Sequence, residues 1–134
     1  IIMAFSHIRT STRNKEIVVE LTHKFNLGAE NVIARIAIGY SLQSGLKFQP
    51  TDVKDSGGKE YSKSVLFGNY YQIYAIMICT HYQINENNKD LPRYFKIHLD
   101  HGLQLIYDDI CENPNLVGYD YLFEKIEKGL KEIC

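Results

Sequence analysis

Two stretches of this chain carry residue types whose spacing could do chemistry. The first is Asp55-Ser56-Gly57-Gly58-Lys59-Glu60, where paired glycines stand beside a lysine. A nucleotide-binding phosphate loop needs a further, leading glycine and a Ser or Thr after its lysine to hold magnesium. The leading glycine is missing and Glu60 follows the lysine, so this is no nucleotide loop. Two glycines in a turn can still expose backbone N–H groups beside Lys59, a seat for one DNA phosphate. The second stretch holds His98 and His101, three apart on an expected helix and so on one face, with Asp100 between them. Two such histidines make half a zinc site. A third ligand is wanting, and so is the glutamate of the helical metal motif. They are therefore expected to be partly buried and hydrogen-bonded, with no metal. Cys79 lies inside an apolar run and reads as a small core residue. No Ser-His-Asp or Cys-His arrangement can be assembled, so neither catalytic residues nor a cofactor are expected, and the chain is not read as an enzyme.

The elements that would position these residues are mostly helical. Residues 5–10, Phe-Ser-His-Ile-Arg-Thr, alternate weakly and could form one short strand. Ser11 or Thr12 can cap a helix striped by Ile17, Leu21 and Phe25, which Asn26-Leu27-Gly28 would end. A second helix is expected from near Ala29, striped by Val32, Ile33, Ile36, Ala37 and Tyr40 and closed by Gly45. Residues 46–64 hold Pro50, Gly57, Gly58 and several Asp and Ser residues, which predicts a long loop. A third helix over 68–82 is apolar all round and is expected to be the central, most buried one. Its tyrosines (Tyr70, Tyr71, Tyr74, Tyr82), with Ile36 and Tyr40, suit core or subunit contacts. Asp90 and Pro92 open a fourth helix striped by Phe95, Leu99, Leu103, Ile106 and Ile110. After Pro114 a last helix is expected from about residue 119, with Leu122, Ile126, Leu130 and Ile133 on one face. The fold class is thus mainly α: a small helical bundle in one domain over 1–134, with one short strand at most. Strand, helix, turn, helix is the order of a ribbon-helix-helix unit, in which two chains pair their strands.

Composition sets the class of partner. The chain has 134 residues, 45% hydrophobic and 23% charged, which suits one globular domain. No apolar run approaches the roughly 18 residues of a membrane span, and the first five residues do not read as a signal peptide. Three scattered cysteines do not make a disulfide framework. A cytoplasmic protein with no membrane partner is expected. The net charge is −1, but residues 1–65 carry nine Lys/Arg against six Asp/Glu, while residues 66–134 carry six against ten. A first half at +3 and a second at −4 allow a basic face toward nucleic acid. The candidate DNA-binding residues are Arg9, Arg13 and Lys15 near the first helix, Arg35 on the second, and Lys47, Lys54, Lys59 and Lys63 on or beside the long loop. Arg35, set in an apolar helix, is expected to pair with a carboxylate instead, and the loop lysines are preferred.

Three stretches taken together resemble the DNA sulfur-modification protein DndE family. These are Asn31-Val32-Ile33-Ala34-Arg35-Ile36-Ala37-Ile38-Gly39-Tyr40-Ser41-Leu42, then Gly58-Lys59-Glu60-Tyr61 followed by Leu66-Phe67-Gly68, and His98-Leu99-Asp100-His101-Gly102-Leu103. In the last, His101 stands where the family pattern leads one to expect a stronger base. The resemblance spans about residues 8–110, with residues 115–134 as a helical extension. It implies a non-catalytic accessory subunit of the DNA phosphorothioation system, a modification system in which sulfur replaces a non-bridging backbone oxygen. It further implies a ribbon-helix-helix-like fold, a homo-oligomer (a tetramer), backbone contacts to duplex DNA with a preference for nicks, and the other subunits of the modification complex as partners. Two other functions compete. A ribbon-helix-helix transcriptional regulator would read bases with Ser6, His7, Ile8 and Arg9. A protein scaffold would recruit the modification subunits without touching DNA.

Overall fold

The computed structural model describes residues 5–113 together with Tyr121, Lys125, Glu127 and Lys128. Strand β1 (His7–Arg9) leads into helix α1 (Thr12–Lys24), and helix α2 (Glu30–Gln43) follows a tight turn. A single 3-10 turn (Pro50–Asp52) interrupts the long connection to strand β2 (Glu60–Ser62). Then come the short α3 (Lys63–Phe67), a 3-10 turn (Gly68–Tyr70), α4 (Tyr71–Tyr82) and the long α5 (Leu91–Glu112). Local chemistry accounts for the ends. The Ser11 hydroxyl accepts the Asn14 N–H at 3.3 Å and caps α1. Asn26 and Gly28 take positive φ, 53° and 81°, which turns the chain into α2.

β1 and β2 pair antiparallel, with Ile8 opposite Tyr61. The mainly α class holds, but there are two strands where one at most was expected, and the strand of the ribbon-helix-helix-like unit finds its partner within its own chain. The turn-formers of residues 46–64 gave no local sign of β2. Its three residues are held by long-range pairing: Lys63 N–H to Ser6 O at 2.8 Å and Thr10 N–H to Lys59 O at 2.8 Å. Helix α3 was likewise hidden in the expected loop. Ser62 caps it by accepting the Val65 N–H at 3.2 Å.

The expectation that the apolar third helix is central is corrected. That helix is α4, and only its Ala75 and Ile78 are buried, whereas Ile73 and Ile76 are 57% and 63% exposed. The central helix is α5, which packs most extensively on α2 and buries every residue from Phe95 to Leu99, together with Asp100. Burial of α5 rests on polar residues that satisfy one another, which periodicity does not reveal. The remaining core follows the expected stripes: Ile17, Leu21 and Phe25 of α1, Ile33 and Ala37 of α2, and Leu99, Leu103 and Ile106 of α5. Phe67 and Phe95 meet at 4.9 Å between ring centroids and anchor α3 to α5. The expected stripe of the last helix, Leu122, Ile126, Leu130 and Ile133, lies outside the described residues; Tyr121, Lys125, Glu127 and Lys128 are helical, and Tyr121 is buried.

The α2–α5 crossing is set by Gly102. A Cβ there would stand 1.8 Å from the Ala37 carbonyl oxygen, within backbone that cannot yield. Gly102→Ala should therefore destabilise the protein by about 3 kcal/mol or more. Gly39→Ala, which meets nothing within 4 Å in the same α2, should be neutral or gain about 0.5–1 kcal/mol. Urea denaturation of both variants checks the contrast.

Candidate nucleic-acid interface

The glycine turn is built as a clamp on the start of α1. The Asp55 carboxylate accepts the Thr12 N–H at 2.8 Å, the Thr12 hydroxyl, and the Gly57 N–H at 3.1 Å. These donors, Thr12 first, pull the Asp55 carboxyl down to about 2. Gly58 N–H donates to Thr10 O at 3.0 Å, and Lys59 N–H to the Thr10 hydroxyl at 2.9 Å. The expected phosphate seat is thus corrected: the backbone donors of Gly57, Gly58 and Lys59 already serve an internal carboxylate and Thr10. Both glycines are required by this approach, because a Cβ at Gly57 would meet the Thr12 hydroxyl and one at Gly58 the Ser11 carbonyl.

Beneath the clamp lies a buried ion pair. Lys96 Nζ donates to Asp100 Oδ2 at 3.1 Å, to Arg9 O at 2.7 Å and to Asp55 O at 2.9 Å. Asp100 Oδ1 accepts Ser11 N–H at 3.1 Å and Asn14 Nδ2 at 2.7 Å. The two side chains are 10% and 2% exposed. Five hydrogen bonds therefore satisfy both charges, and they join β1, the loop and the first turn of α1 to α5.

The two histidines meet on Ser41 of α2. Ser41 Oγ lies 2.7 Å from Nδ1 of His98 and 2.7 Å from Nδ1 of His101. On its other side His98 Nε2 is 2.6 Å from the Tyr82 hydroxyl, which itself accepts the Phe48 N–H at 3.1 Å. One assignment of protons gives each an acceptor. Tyr82 donates to His98 Nε2, His98 Nδ1–H donates to Ser41, and Ser41 donates to His101 Nδ1. His101 then carries its proton on Nε2. Burial, helped by His81 and His101, pushes the His98 imidazole down to about 4. Burial and the nearby Lys54 ammonium lower His101. Among the described residues, no group of three or more His, Cys, Asp or Glu side chains could hold a metal. Cys79 is half-buried, and burial raises its thiol.

The basic candidates fall in different places. Arg13 Nε donates to Gln104 at 3.2 Å, and Gln104 lines the same cleft as Lys54 and Phe48. Lys47 is exposed beside Phe48 in sequence. Arg13 and Lys54 are thus brought together around one cleft at the junction of α1, the loop and α5, and Lys47 is exposed on the loop that supplies Phe48. Lys59 and Arg9 are not free for phosphate in the same way, since Lys59 lies 3.6 Å from Glu30 and Arg9 lies 3.0 Å from Glu60. Lys63 rests on the Tyr71 ring at 3.9 Å, beside a different hollow. Lys15 is exposed farther along α1. Arg35 pairs with no carboxylate among the described residues, where such a pair was expected. Its Nη1 donates to the Leu66 carbonyl at 3.0 Å and its guanidinium lies over Tyr70, which ties α2 to the end of α3. Sequence reasoning missed Lys96, Asp100, Ser41 and Tyr82. Only the opposite charges of Lys96 and Asp100 four residues apart gave a signal, and that spacing ordinarily marks an exposed helix face.

Two consequences can be measured. Lys96→Met leaves the Asp100 charge buried without its cation and should cost about 3–5 kcal/mol in urea denaturation. The second concerns pH. An unfolded histidine titrates near 6.5, so below that pH the unfolded chain binds a proton that folded His98 refuses until about 4. Stability should be full above pH 6.5, fall as pH drops toward 4 and level off there. Equal denaturation midpoints at about pH 7.5 and 5.5 would show that His98 is not held neutral.

The sequence profile described as DNA sulphur modification protein DndE matches residues 7–113. Among solved structures, the crystal structure of DndE from Escherichia coli B7A, involved in DNA phosphorothioation modification, is similar. It is 21% identical, covers 75% of this chain and 97% of its own, and has a TM-score of 0.64. A crystal structure of a double glycine-to-lysine DndE mutant involved in DNA phosphorothioation is 22% identical. It covers 78% of this chain and 99% of its own, with a TM-score of 0.65. At these identities the structures speak for the fold. Comparison with curated proteins gives no match. The profile spans the strands, the helices, the loop clamp and the histidine relay, and on that match the chain belongs to the DndE family of DNA sulphur modification proteins.

Proposed function

We propose that this protein is a non-catalytic, DNA-binding accessory subunit of the DNA phosphorothioation system, working in the cytoplasm on the backbone of duplex DNA and favouring nicked duplex. The observation that carries this reading is the placement of Arg13 and Lys54 around one exposed cleft, with Lys47 exposed on the same loop, where none of the three has an ion-pair partner among the described residues. A near-neutral chain can bind a polyanion when its basic groups collect in this way. A structural role for the titratable residues supports the non-catalytic reading: His98, Asp100 and Lys96 spend their hydrogen bonds on α2, α1 and the loop. Among the described residues no helix is long and apolar enough to cross a membrane.

A base-reading regulator fits less well. Ile8 is buried, Arg9 is engaged by Glu60, and β2 already occupies one edge of the strand that two chains would share. Association into a tetramer, and docking of the other modification subunits, belong to the same proposal. They are supported by the exposed apolar side chains Tyr70, Ile73 and Ile76 at and along α4.

DNA binding measured at two salt concentrations on nicked, intact and single-stranded DNA of unrelated sequences tests the reading. Reversing Arg13 and Lys54 together should weaken all sequences alike and lower the salt slope by about two. Reversing Lys59 and Lys63 should do less. No binding by the wild type at low salt would leave the scaffold function standing instead. In light scattering the wild type should exceed a monomer, and Ile73→Glu with Ile76→Glu should reduce it toward one.

A further inference from the structure

The cleft beside Lys54 has a chemistry of its own. It encloses about 400 Å³, within the range of sites that hold small organic ligands. Phe48 and Ile97 supply apolar walls, and the Phe48 ring stands 5.0 Å from that of His101. Two carboxylates also border it: Asp100 is buried and paired with Lys96, and Asp52 is exposed and keeps its charge. Asp100 is saturated by Ser11, Asn14 and Lys96, and Asp52 Oδ2 accepts the Gln49 N–H at 2.7 Å. Gln104 is engaged at both ends, by Arg13 and Asp108. The donors left over are the Lys54 ammonium and the Nε2–H of His101, whose Nδ1 is occupied by Ser41. In the proton assignment given above, the histidine relay leaves His101 as a neutral imidazole with an N–H donor beside a lysine.

An apolar, aromatic-walled cleft with two donors takes a planar body that carries an anionic group. Arg13, bonded to Gln104 at its edge, extends the positive charge beyond the cavity, which suits further phosphates of a chain better than a free small anion. We propose that this cleft receives one nucleotide of a DNA strand, its base against Phe48 and Ile97 and its phosphate on Lys54 and the His101 Nε2–H. The proposal rests on the DNA-binding reading above and assigns a place within it. Stacking on an aromatic ring is tolerant of sequence, so the site would hold an exposed or unstacked nucleotide without selecting a base.

The test is an NMR titration of the histidine side chains in the full-length protein with a short oligothymidine strand. The His101 resonances should move and its titration midpoint rise, because a phosphate at Nε2–H favours the protonated ring. Phe48→Ala should weaken binding of that strand about tenfold, and Lys54→Gln should lower its salt slope by about one. If the strand binds while His101 stays unmoved, the cleft is overturned as the nucleotide site and the DNA-binding reading survives. If no DNA form binds the wild type, both fall. Because the His101 measurement uses the unaltered protein, it decides the matter even should the Phe48 variant misfold.

Discussion

The ion pair of Lys96 and Asp100 is the constraint on which the functional face depends. Burying either charge alone would cost several kcal/mol, and the pair is tolerable only because every remaining valence is used. Lys96 spends its three protons on Asp100, the Arg9 carbonyl and the Asp55 carbonyl. Asp100 takes the Ser11 N–H and the Asn14 amide in return. These partners come from the end of β1, the long loop and the first turn of α1. Three segments with little apolar surface of their own are thereby located against α5. The Asp55 clamp on Thr12 then fixes the loop from outside, so that Lys54 and Arg13 emerge at a defined junction.

A second dependence runs through the helix crossing. Because Gly102 has no side chain, the backbones of α2 and α5 come into direct contact at Ala37. One helical turn beyond Ala37 lies Ser41, and one turn before Gly102 lies His98. Close approach lets a side chain as short as serine reach two imidazoles at once, at 2.7 Å each. A bulkier residue at 102 would part the helices and open the relay as well as the core. Packing and polar chemistry are therefore the same feature here: the glycine that permits the contact also lets Ser41 reach both histidines.

The legible parts of the sequence were those decided locally. The stripes of Ile17, Leu21 and Phe25 and of Leu99, Leu103 and Ile106 are buried as their spacing requires, and Ser11, Asn26 and Gly28 mark the ends that the structure uses. What failed was decided at long range. Glu60-Tyr61-Ser62 becomes a strand only because β1 lies beside it, and the glycine turn loses its anion-binding donors to Thr10 in another segment. Helix α4 read as central because it is apolar on every side, and α5 as amphipathic because it carries Lys96, His98 and Asp100. The order is reversed because Lys96 and Asp100 pair with each other and His98 is held by Ser41 and Tyr82, so that α5 can be enclosed while the aliphatic Ile73 and Ile76 stay outside. The candidate basic residues are all exposed or half-exposed, but their grouping could not be read from spacing.

That grouping changes what the charge count means. A first half at +3 suggests a basic face, yet two of its cations are answered by acids distant in sequence, Lys59 by Glu30 and Arg9 by Glu60. Exposed pairs of this kind add little stability, about 0–1 kcal/mol, but each removes a local source of positive potential. The potential that a phosphate would meet is governed by which cations lack such partners, and Arg13 and Lys54 border one cleft above the buried pair. Of the acids that border the cleft, Asp100 is neutralised from within by Lys96, whereas Asp52 is exposed and keeps its charge while it accepts one backbone N–H. An overall charge of −1 is therefore compatible with local sources of positive potential, because Arg13 and Lys54 have no ion-pair partner among the described residues while Lys96 and Asp100 cancel each other inside.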